Sequence, residues 1–341
     1  MLIPRPDATR RLLLTWYRRS RRDLPWRGAR DPYRIWISEI MLQQTTVHAV
    51  IPYYRHFLSR FPTLRSLARA RLPAVLAAWS GLGYYRRARH LHAAARTIVR
   101  DFSGRFPRAI EDLLDLPGIG RYTAGAILSI AFGQRHPIVD GNIARVLARW
   151  RLLRGDPSSS IMRRRLWDLA AELVAGAAAP GDLNQALMEL GATVCTPVAP
   201  DCASCPIRRD CRARIAGAQE RIPPPRRRRE PVVVRSAVAL VTRDGRCLVR
   251  RRGRTGLLDG MWELPTFDDG TGGLSLRRGA RLVTVKHTIT YRRMLVDVHR
   301  AYLLAEPRGS DFRWIRPGRP GHLPSSSLMA KIFASLGIAN V

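Results

Sequence analysis

Four cysteines lie in one short stretch of this chain, and together their thiolates could hold a metal. Cys195, Cys202, Cys205 and Cys211 are spaced C-x6-C-x2-C-x5-C. Soft sulfur ligands in a set of four suit an iron–sulfur cluster or a zinc ion. Disulfides are disfavoured because a distant fifth cysteine, Cys247, makes the count odd and because we expect no signal peptide. Zinc sites usually pair two C-x2-C motifs, and only one is present, so the spacing favours a 4Fe-4S cluster.

Two carboxylates, Glu39 and Asp140, are candidates for acid–base chemistry. Asp140 precedes a predicted helix as its N-cap, where helix N–H groups and nearby arginines would keep the carboxylate ionised. Glu39 shares a helical face with Trp36 and Ile40, and apolar surroundings raise a carboxyl pKa. Cleaving a base from deoxyribose needs such a pair: a proton for the leaving base and negative charge beside the oxocarbenium-like sugar. From these residues alone, a plain helix cap at Asp140 and a buried partner for an arginine at Glu39 remain open.

A glycine-bracketed turn with the sequence LPGIGRYTA, residues 116–124, joins two predicted helices. Its glycines, Gly118 and Gly120, expose backbone N–H groups at the start of the second helix, where the helix dipole favours an anion. A DNA phosphate could bind there without any base being read. The motif alone also fits an ordinary helix–helix corner.

The composition predicts a globular protein with a polyanionic partner. The 341 residues suffice for two domains with cores of their own, and 46% of them are hydrophobic. The formal net charge is +33. Lysine occurs only at Lys286 and Lys331, so an arginine-biased proteome is an alternative explanation for part of this charge. No apolar run approaches the roughly 20 residues that span a bilayer, so we expect a cytoplasmic protein that binds no membrane.

Three segments follow one another along the chain. Residues 1–216 carry helical periodicity, and residues 217–231 break it with the prolines and arginines of a linker. Residues 232–341 contain β-rich runs and an Asp244-Gly245 hairpin signal, which predict a small α+β domain. Examples of the helical periodicity cover residues 33–44, 46–61, 71–79, 109–116, 121–132, 143–153 and 162–175, and the β-rich runs cover residues 232–241, 247–251 and 294–304.

Together, these motifs resemble those of adenine DNA glycosylases of the helix-hairpin-helix family. The matching motifs are LPWR at 24–27, SEIMLQQT at 38–45, GLGYY at 81–85, the LPGIGRYTA hairpin, IVDGN at 138–142 and the four cysteines. The resemblance implies a mainly α, two-lobed glycosylase fold over residues 1–216, with an iron–sulfur cluster loop at residues 195–211. It also implies a 4Fe-4S cluster and the removal of adenine mispaired with 8-oxoguanine or guanine in double-stranded DNA, as a step of base-excision repair.

The resemblance assigns catalytic roles by position. Glu39 corresponds to the general acid that protonates the adenine ring. Asp140 corresponds to the carboxylate that stabilises or captures the sugar cation. Tyr122 and Asn142 resemble the groups that orient water and support these two carboxylates.

The resemblance also implies contacts with DNA. Gln44 and Tyr84 correspond to residues that are pushed into the duplex where the base has left. Without the resemblance, a solvent-facing helix glutamine and a core tyrosine would be the simpler interpretations. The expected adenine pocket is lined by Trp26, Arg27, Leu42 and Gln185.

Endonuclease III is the sharpest alternative, because it shares the hairpin, the aspartate and the cysteine spacing. Its lyase chemistry uses a Schiff-base lysine at the position of Tyr122, and this chain has no lysine before Lys286. A lysine-dependent lyase in the helical segment is therefore excluded, which leaves a monofunctional glycosylase. Thymine or uracil mismatch glycosylases carry tyrosine there but lack the Glu39 motif and the appended domain, and they remain an alternative. A non-catalytic iron–sulfur DNA-binding protein is the other, although the pair of carboxylates favours catalysis.

Residues 232–341 resemble a Nudix domain through the motif GMWELP at 260–265. A working Nudix hydrolase needs a helix bearing several glutamates that bind magnesium. Residues 266–285 contain Asp268 and Asp269 but no glutamate. We therefore expect a binding domain that reuses the fold without its hydrolysis, and the resemblance to adenine DNA glycosylases implies that this domain recognises 8-oxoguanine.

The recognition loop departs from the family pattern. Where the family usually has Phe-Ser-His after a His-Thr pair, this chain has Ile289-Thr290-Tyr291. Thr290 keeps a hydroxyl and Tyr291 can still form hydrogen bonds, but the aromatic wedge and the imidazole are absent. The strength of the preference for 8-oxoguanine is left open by this departure.

We expect the protein to act as a monomer.

Overall fold

The computed structural model describes residues 6–224, 230–253, 260–267, 274–307, 309–317 and 323–338. The chain divides into two compact units, Met1–Ala68 with Ala93–Arg227, and Arg69–His92 with Arg228–Val341. The segment Arg69–His92 thus belongs to the same unit as the C-terminal part of the chain. The domain boundaries drawn from the sequence concern independent folding, and they stay a prediction.

Helices form the ordered elements of the chain as far as residue 215. Every helix predicted from the sequence is present, with its ends within two residues of the predicted ones. Capping side chains set several boundaries: Asp31 accepts a hydrogen bond from Tyr33 N–H, and Ser159 accepts one from Met162 N–H. The helices are α1 (Pro6–Ser20), α2 (Pro32–Leu42), α3 (Val47–Arg60), α4 (Leu64–Arg69), α5 (Leu72–Ala78), α6 (Arg86–Asp101), α7 (Ile110–Leu114), α8 (Arg121–Phe132), α9 (Gly141–Arg151), α10 (Ser160–Ala175), α11 (Pro180–Thr193) and α12 (Arg212–Ile215).

The helices of the first unit pack around an apolar core. α2 packs against α8, and α11 packs against α1, α8 and α9. The core includes Leu13, Leu147 and Leu187, which are almost fully buried, and each such side chain contributes about 1.5–3 kcal/mol. A glycine permits the closest approach: a Cβ at Gly191 of α11 would lie 2.7 Å from the Cβ of Asn142. This contact fixes α11 against the first turn of α9.

The C-terminal part of the second unit contains two small β-sheets and a helix within its described residues. The elements are β1 (Val232–Leu240), β2 (Thr242–Arg243), β3 (Arg246–Arg251), β4 (Trp262–Glu263), β5 (Leu276–Ile289), β6 (Arg292–Leu303), β7 (Phe312–Ile315) and α13 (Ser327–Ser335). One sheet has the order β1-β6-β5, with β1 parallel and β5 antiparallel to β6. In the other, β3 pairs antiparallel with β2, β4 and β7. Trp262, Val298 and Phe333 are buried in the core, so the predicted α+β character is confirmed.

The predicted hairpin at Asp244-Gly245 is also confirmed. Arg243 pairs with Arg246 across these two residues, whose φ angles are +49° and +69°. Positive φ at both central positions matches the twist of the flanking strands in a two-residue turn.

The span 266–285 contains no helix among its described residues. Its second half lies in strand β5, whereas Asp268 and Asp269 lie outside the described residues. Among the described helices, none is both long and apolar enough to cross a membrane.

Candidate active site

A cavity of about 480 Å³ in the first unit contains most of the residues expected to bind and cleave a nucleotide. This volume is in the range of small-ligand pockets. Its lining includes Trp26, Arg27, Glu39, Leu42, Gln44, Tyr122, Asp140, Asn142 and Gln185. These residues come from α2, α8, α9, α11 and the loops beside them, so the helix packing described above brings them together.

Glu39 lies on the buried face of α2 beside Trp36 and Ile40, and it is 6% exposed. The Tyr122 hydroxyl donates a hydrogen bond of 2.8 Å to Glu39 Oε2. Burial raises the pKa of Glu39 to about 7, although the hydrogen bond from Tyr122 and the charge of Arg27 oppose the rise. The direction predicted from the apolar helix face is therefore confirmed. Burial also raises the pKa of Tyr122 well above its ordinary value, so the phenol stays a proton donor.

Asp140 is the N-cap of α9. Its carboxylate accepts hydrogen bonds from Ile143 N–H at 2.7 Å and from Asn142 Nδ2 at 3.1 Å. The predicted cap is confirmed. Burial nevertheless raises the pKa of Asp140 above its ordinary value, against these hydrogen bonds and the charge of Arg145. Only the stabilising contacts were expected from the sequence, because the burial of this position is a product of tertiary packing.

Arg145, which was not predicted as a site residue from the sequence, holds Asn142 in place. Its Nη2 donates to Asn142 Oδ1 at 2.9 Å and to the carbonyl of Gly191 at 2.6 Å. Its Nε donates to the carbonyl of Cys195 at 2.7 Å. One guanidinium therefore links the residue that supports Asp140 to the first of the four cysteines. The signal available in the sequence was the spacing, because Arg145 follows Asn142 by about one helical turn and therefore lies on the same helix face.

A buried ion-pair network forms another wall of the cavity. Arg27 donates from Nη1 to Gln185 Oε1 at 2.7 Å and to the Tyr17 hydroxyl at 2.8 Å. Its Nη2 lies 2.8 Å from Glu189 Oε2. Arg22 Nε lies 2.6 Å from Glu189 Oε1. Burial acts to raise the pKa of Glu189, but the hydrogen bonds from Arg22 and the nearby arginine charges lower it overall.

Arg22 and Glu189 were missed from the sequence. Glu189 follows Gln185 by four residues on α11 and therefore lies on the same helix face, which was a signal for its position. Nothing in the linear sequence pairs it with Arg22. The other predicted pocket residues, Trp26 and Leu42, line the cavity as expected.

Two residues expected to enter the duplex have left-handed backbone conformations. Gln44 has φ +56° and lines the cavity in the first unit. Tyr84 has φ +49° in the second unit, and its side chain is 42% exposed, so it is not a core tyrosine. Such conformations are uncommon for side chains of this size and cluster at functional positions.

The predicted glycine hairpin joins α7 to α8. Gly118 has φ +77°, a conformation that favours glycine. Gly120 is the N-cap of α8 and supplies no side-chain hydrogen bond. The N-cap residue of α8 therefore offers no side chain to the first backbone N–H groups of this helix, and an anion at Gly118 and Gly120 stays a prediction.

The four cysteines line a common cavity with Arg149 and Gln219. Within the described ranges, no three or more His, Cys, Asp or Glu side chains form a group that could hold a metal ion, so the structure does not show the predicted iron–sulfur loop in a metal-binding arrangement. Burial, and to a smaller extent the neighbouring cysteines, raises the pKa of Cys205 to about 12. Thiolates that are buried and repel one another are stabilised by a bound metal, so this donor set fits a metal or an iron–sulfur cluster.

Arg149 anchors the loop that carries these cysteines. Its guanidinium is buried and lies 3.4 Å from Cys195 Sγ. It donates to the carbonyls of Thr196 at 2.6 Å and Pro197 at 3.1 Å. The loop is thus tied to α9, the helix that Asp140 caps.

In the second unit, Thr290 and Tyr291 form the turn between β5 and β6. Ile289 pairs with Arg292 across them, and Thr290 has φ +58°. The exposed Thr290 hydroxyl donates to its neighbouring carbonyl of Ile289 at 2.6 Å. The guanidinium of Arg292 lies over the Tyr291 ring at 5.6 Å. This turn therefore carries the two polar side chains that were predicted to contact DNA, and the charge of Arg292 lies beside them.

Part of the helical segment matches a recognised class of DNA repair protein. Residues 37–172, which include the second half of α2 with Glu39, the glycine hairpin and Asp140, match the model of the HhH-GPD superfamily base excision DNA repair proteins. Residues 237–335 match the model of the NUDIX domain, which confirms the predicted likeness of the tail.

Relatives narrow the class to one family. Adenine DNA glycosylase of Schizosaccharomyces pombe is 34% identical over 324 residues, which cover 77% of this chain and 70% of that protein. Adenine DNA glycosylase of Homo sapiens is 52% identical over 224 residues, covering 63% of this chain and 41% of the human protein. The chain therefore belongs to the adenine DNA glycosylase family. It spans 41% to 46% of the length of the human, rat, mouse and Arabidopsis relatives.

Solved structures share the helical fold. A thermostable thymine-DNA glycosylase is 32% identical with a TM-score of 0.56, covering 62% of this chain and 97% of that one. An endonuclease III in complex with DNA is 21% identical with a TM-score of 0.51, covering 64% of this chain and 99% of that one. The second likeness concerns the fold alone.

Proposed function

We propose that this chain is a monofunctional DNA glycosylase that hydrolyses the N-glycosidic bond of adenine mispaired with 8-oxoguanine or guanine. The observation that carries the proposal is the pair of carboxylates in one cavity. Glu39 has a pKa of about 7 and an adjacent phenol, whereas Asp140 accepts two hydrogen bonds that stabilise its anion. One carboxyl group is suited to donate a proton and the other to remain charged.

Glu39 supplies the acid. Because burial raises its pKa to about 7, Glu39 can carry a proton near neutral pH. Transfer of this proton to the adenine ring makes the base a neutral leaving group. The electrons of the bond between C1′ and N9 then leave with the base. Tyr122 keeps Glu39 in one orientation through its hydrogen bond to Oε2.

Asp140 stabilises the sugar cation that remains after the base has left. Loss of the base leaves positive charge on the sugar, and an adjacent carboxylate lowers the energy of that cation. Water then forms a bond to C1′ and gives up a proton to the Glu39 carboxylate, which restores the starting enzyme. Asn142 donates to Asp140 Oδ2, and this contact fixes the carboxylate oxygens.

The ion-pair network suits a purine. Arg27 is buried and held by Gln185 and Glu189, so it keeps its orientation without substrate. Arg27 Nε is buried and without an acceptor among the described residues.

The partner in this proposal is double-stranded DNA that contains the mispair. The net charge of +33 favours a polyanion. The first turn of α8, with Gly118 and Gly120, would hold a phosphate, and Gln44 and Tyr84 would enter the stack. In the tail, Thr290 and Tyr291 would contact 8-oxoguanine. We further propose a monomeric enzyme of the cytoplasm, a compartment that keeps thiols reduced.

The same proposal includes a 4Fe-4S cluster held by Cys195, Cys202, Cys205 and Cys211. A bound cluster supplies the cation that four thiolates require, and it orders the loop that they share. We expect purified protein to be brown and Cys202→Ser to lose both its colour and its affinity for DNA. Stoichiometric zinc without iron in an anaerobic preparation would exclude the cluster.

A thymine mismatch glycosylase is the second candidate. The thermostable thymine-DNA glycosylase is 32% identical over 62% of this chain, which is the observation that favours it. Glu39 argues for adenine, because a proton donor of pKa about 7 is suited to a basic purine ring.

One assay separates these functions. Base release is measured under single-turnover conditions from duplexes that contain A:8-oxoguanine, A:G, T:G or thymine glycol. Adenine should be released from the first two, while the others stay intact. Release of thymine from T:G without release of adenine would replace the proposal by the second candidate. Binding without any release would indicate a non-catalytic DNA-binding protein.

A further inference from the structure

The segment between α5 and α6 holds its backbone in an unusual conformation. We define the Tyr84 loop as residues 79–85. Within it, Gly81, Gly83 and Tyr84 have φ angles of +95°, +76° and +49°. A tyrosine in this region is strained, so the surrounding structure must hold it there.

Support from within the segment converges on one carbonyl. Trp79 Nε1 donates to the carbonyl of Gly83 at 3.1 Å, and Arg87 Nη2 donates to the same atom at 3.3 Å. The Arg87 guanidinium also lies over the rings of Trp79 and Tyr84, at 5.5 Å and 5.2 Å. These contacts fix the side of the loop that leads into Tyr84.

A second support comes from a distant part of the chain in the same compact unit. Tyr85 is 6% exposed, and its hydroxyl donates to the carbonyl of Ser325 at 2.8 Å. The same hydroxyl accepts from Gly81 N–H at 3.1 Å. Ser80 Oγ donates to the Ser325 carbonyl at 2.7 Å. Two hydroxyls that flank the strained residues therefore share one acceptor.

The Ser325 carbonyl is itself a fixed point. Trp262 N–H donates to the carbonyl of Pro324 at 2.8 Å, and Trp262 forms a β-bridge with Ser325. Ser326, the next residue, caps α13 by accepting from Met329 N–H. The strand and the helix cap on either side leave this carbonyl little freedom to move.

We propose that the Ser325 carbonyl, through Ser80 and Tyr85, holds the Tyr84 loop in the conformation that inserts Tyr84 into the duplex. Ser80 and Tyr85 are positioning residues: they act through Tyr84 and do not touch the reacting base. This inference rests on the proposed function, because it takes insertion of Tyr84 as its purpose. It gives the C-terminal part of the chain a role that is separate from reading the lesion.

The proposed support of the Tyr84 loop is tested by the fluorescence of a modified duplex to which the complete protein is bound. The duplex carries 2-aminopurine beside 8-oxoguanine, opposite 2′-fluoro-2′-deoxyadenosine, which resists hydrolysis. Insertion of a side chain unstacks 2-aminopurine and raises its fluorescence. The variant with both Ser80→Ala and Tyr85→Phe should lose this rise as fully as Tyr84→Ala does. Its affinity for an undamaged duplex should stay within about twofold of wild type.

Adenine release and a matched variant complete the test. The double variant should release adenine from A:8-oxoguanine about 5- to 100-fold more slowly, as expected for two lost hydrogen bonds. Ser80→Thr keeps a hydroxyl and should retain most of both signals. Tyr33→Phe is the control, because Tyr33 is equally buried and donates to the carbonyl of Phe61 at 2.7 Å in the other unit. It should lower the melting temperature to a similar degree without changing the fluorescence.

An unchanged fluorescence rise in the double variant would overturn the inference, and so would an equal loss in Tyr33→Phe. An unchanged rise in Tyr84→Ala would overturn it as well, because Tyr84 would then not be the inserted group. If wild-type protein releases no adenine from any duplex, the proposed function fails. The fluorescence comparison still decides the inference in that case.

Discussion

The surroundings of Glu39 raise its pKa, so its carboxyl group holds a proton more readily than an ordinary glutamate does. Its carboxyl group is buried on α2 and has a neutral phenol as its hydrogen-bond partner, so the charged form is poorly solvated. A partner such as arginine would have given a permanent anion instead. The sequence left open whether Glu39 is an acid or the partner of an arginine. In the structure, Arg22 and Arg27 form their ion pairs with Glu189.

The rate of base release should fall as the pH rises through about 7, because only protonated Glu39 donates and its pKa is about 7. At acid pH the rate should fall again when Asp140 is protonated. This second decline should begin above the pH expected for an ordinary aspartate, since burial raises the pKa of Asp140. Single-turnover rates at constant ionic strength measure the profile. A rate that is flat across neutral pH would contradict the assignment.

Glu39→Gln should make the protein more stable, and more so at alkaline pH. The pKa of Glu39 is about 7 in the folded protein against an ordinary value of 4.5. The stability that its proton provides is therefore complete below about pH 4.5 and is lost as the pH rises through about 7. Glutamine avoids this loss, which amounts to at most about 3 kcal/mol. Urea unfolding at acid and alkaline pH measures the difference, and an equal gain at both would argue against a buried, proton-binding Glu39.

At the scale of elements, α9 connects the carboxylate site with the cysteine loop. Asp140 caps its first turn, Arg145 reaches Cys195 from its second turn, and Arg149 follows one turn later. A change in the conformation of the cysteine loop can therefore alter the orientation of Asn142 through Arg145. The path consists of hydrogen bonds to a single guanidinium.

Arg145→Met should slow adenine release by about ten- to a hundredfold, because Asn142 and two carbonyls lose a charged donor. Single-turnover release and iron content are measured together. Arg163→Met is the control, since Arg163 is an exposed arginine on α10. A wild-type rate in Arg145→Met with full iron content would show that Asn142 holds its orientation without this link.

The sequence predicted elements better than tertiary pairings. Helical periodicity and caps depend on neighbours in the chain, so the ends of α8 and α9 were found within two residues. Strand β5 was not predicted, because its exposed, arginine-rich residues lack a regular apolar alternation. Arg145 and Glu189 were missed for another reason. Their partners lie far away in the chain, and no local pattern records such pairs.

At the scale of the whole molecule, the C-terminal part has two separable roles in this account. The turn at Thr290 and Tyr291 offers side chains to a lesion, whereas the Ser325 carbonyl supports the Tyr84 loop. The segment Arg69–His92 belongs to the same compact unit as this part of the chain, and Ser80 and Tyr85 bond to it through Ser325. Loss of the tail should therefore affect more than lesion preference.

A chain truncated after residue 231 should lose activity on A:G as well as on A:8-oxoguanine, because Ser80 and Tyr85 lose their acceptor. In contrast, Thr290→Val combined with Tyr291→Phe should lower only the preference for 8-oxoguanine. The expected loss is about ten- to a hundredfold, as for a lost contact to a base edge. Single-turnover rates on both duplexes measure the ratio. Full A:G activity in the truncated chain would remove the supporting role.

The central claim is that Glu39 and Asp140 carry the chemistry, and isosteric variants test it most directly. Glu39→Gln keeps an acceptor for Tyr122, and Asp140→Asn keeps a good N-cap, so the fold is preserved. We predict that each variant binds an A:8-oxoguanine duplex within about threefold of wild type. We also predict that adenine release falls about a hundredfold or more under single-turnover conditions. Release within about tenfold of wild type in either variant would contradict the account.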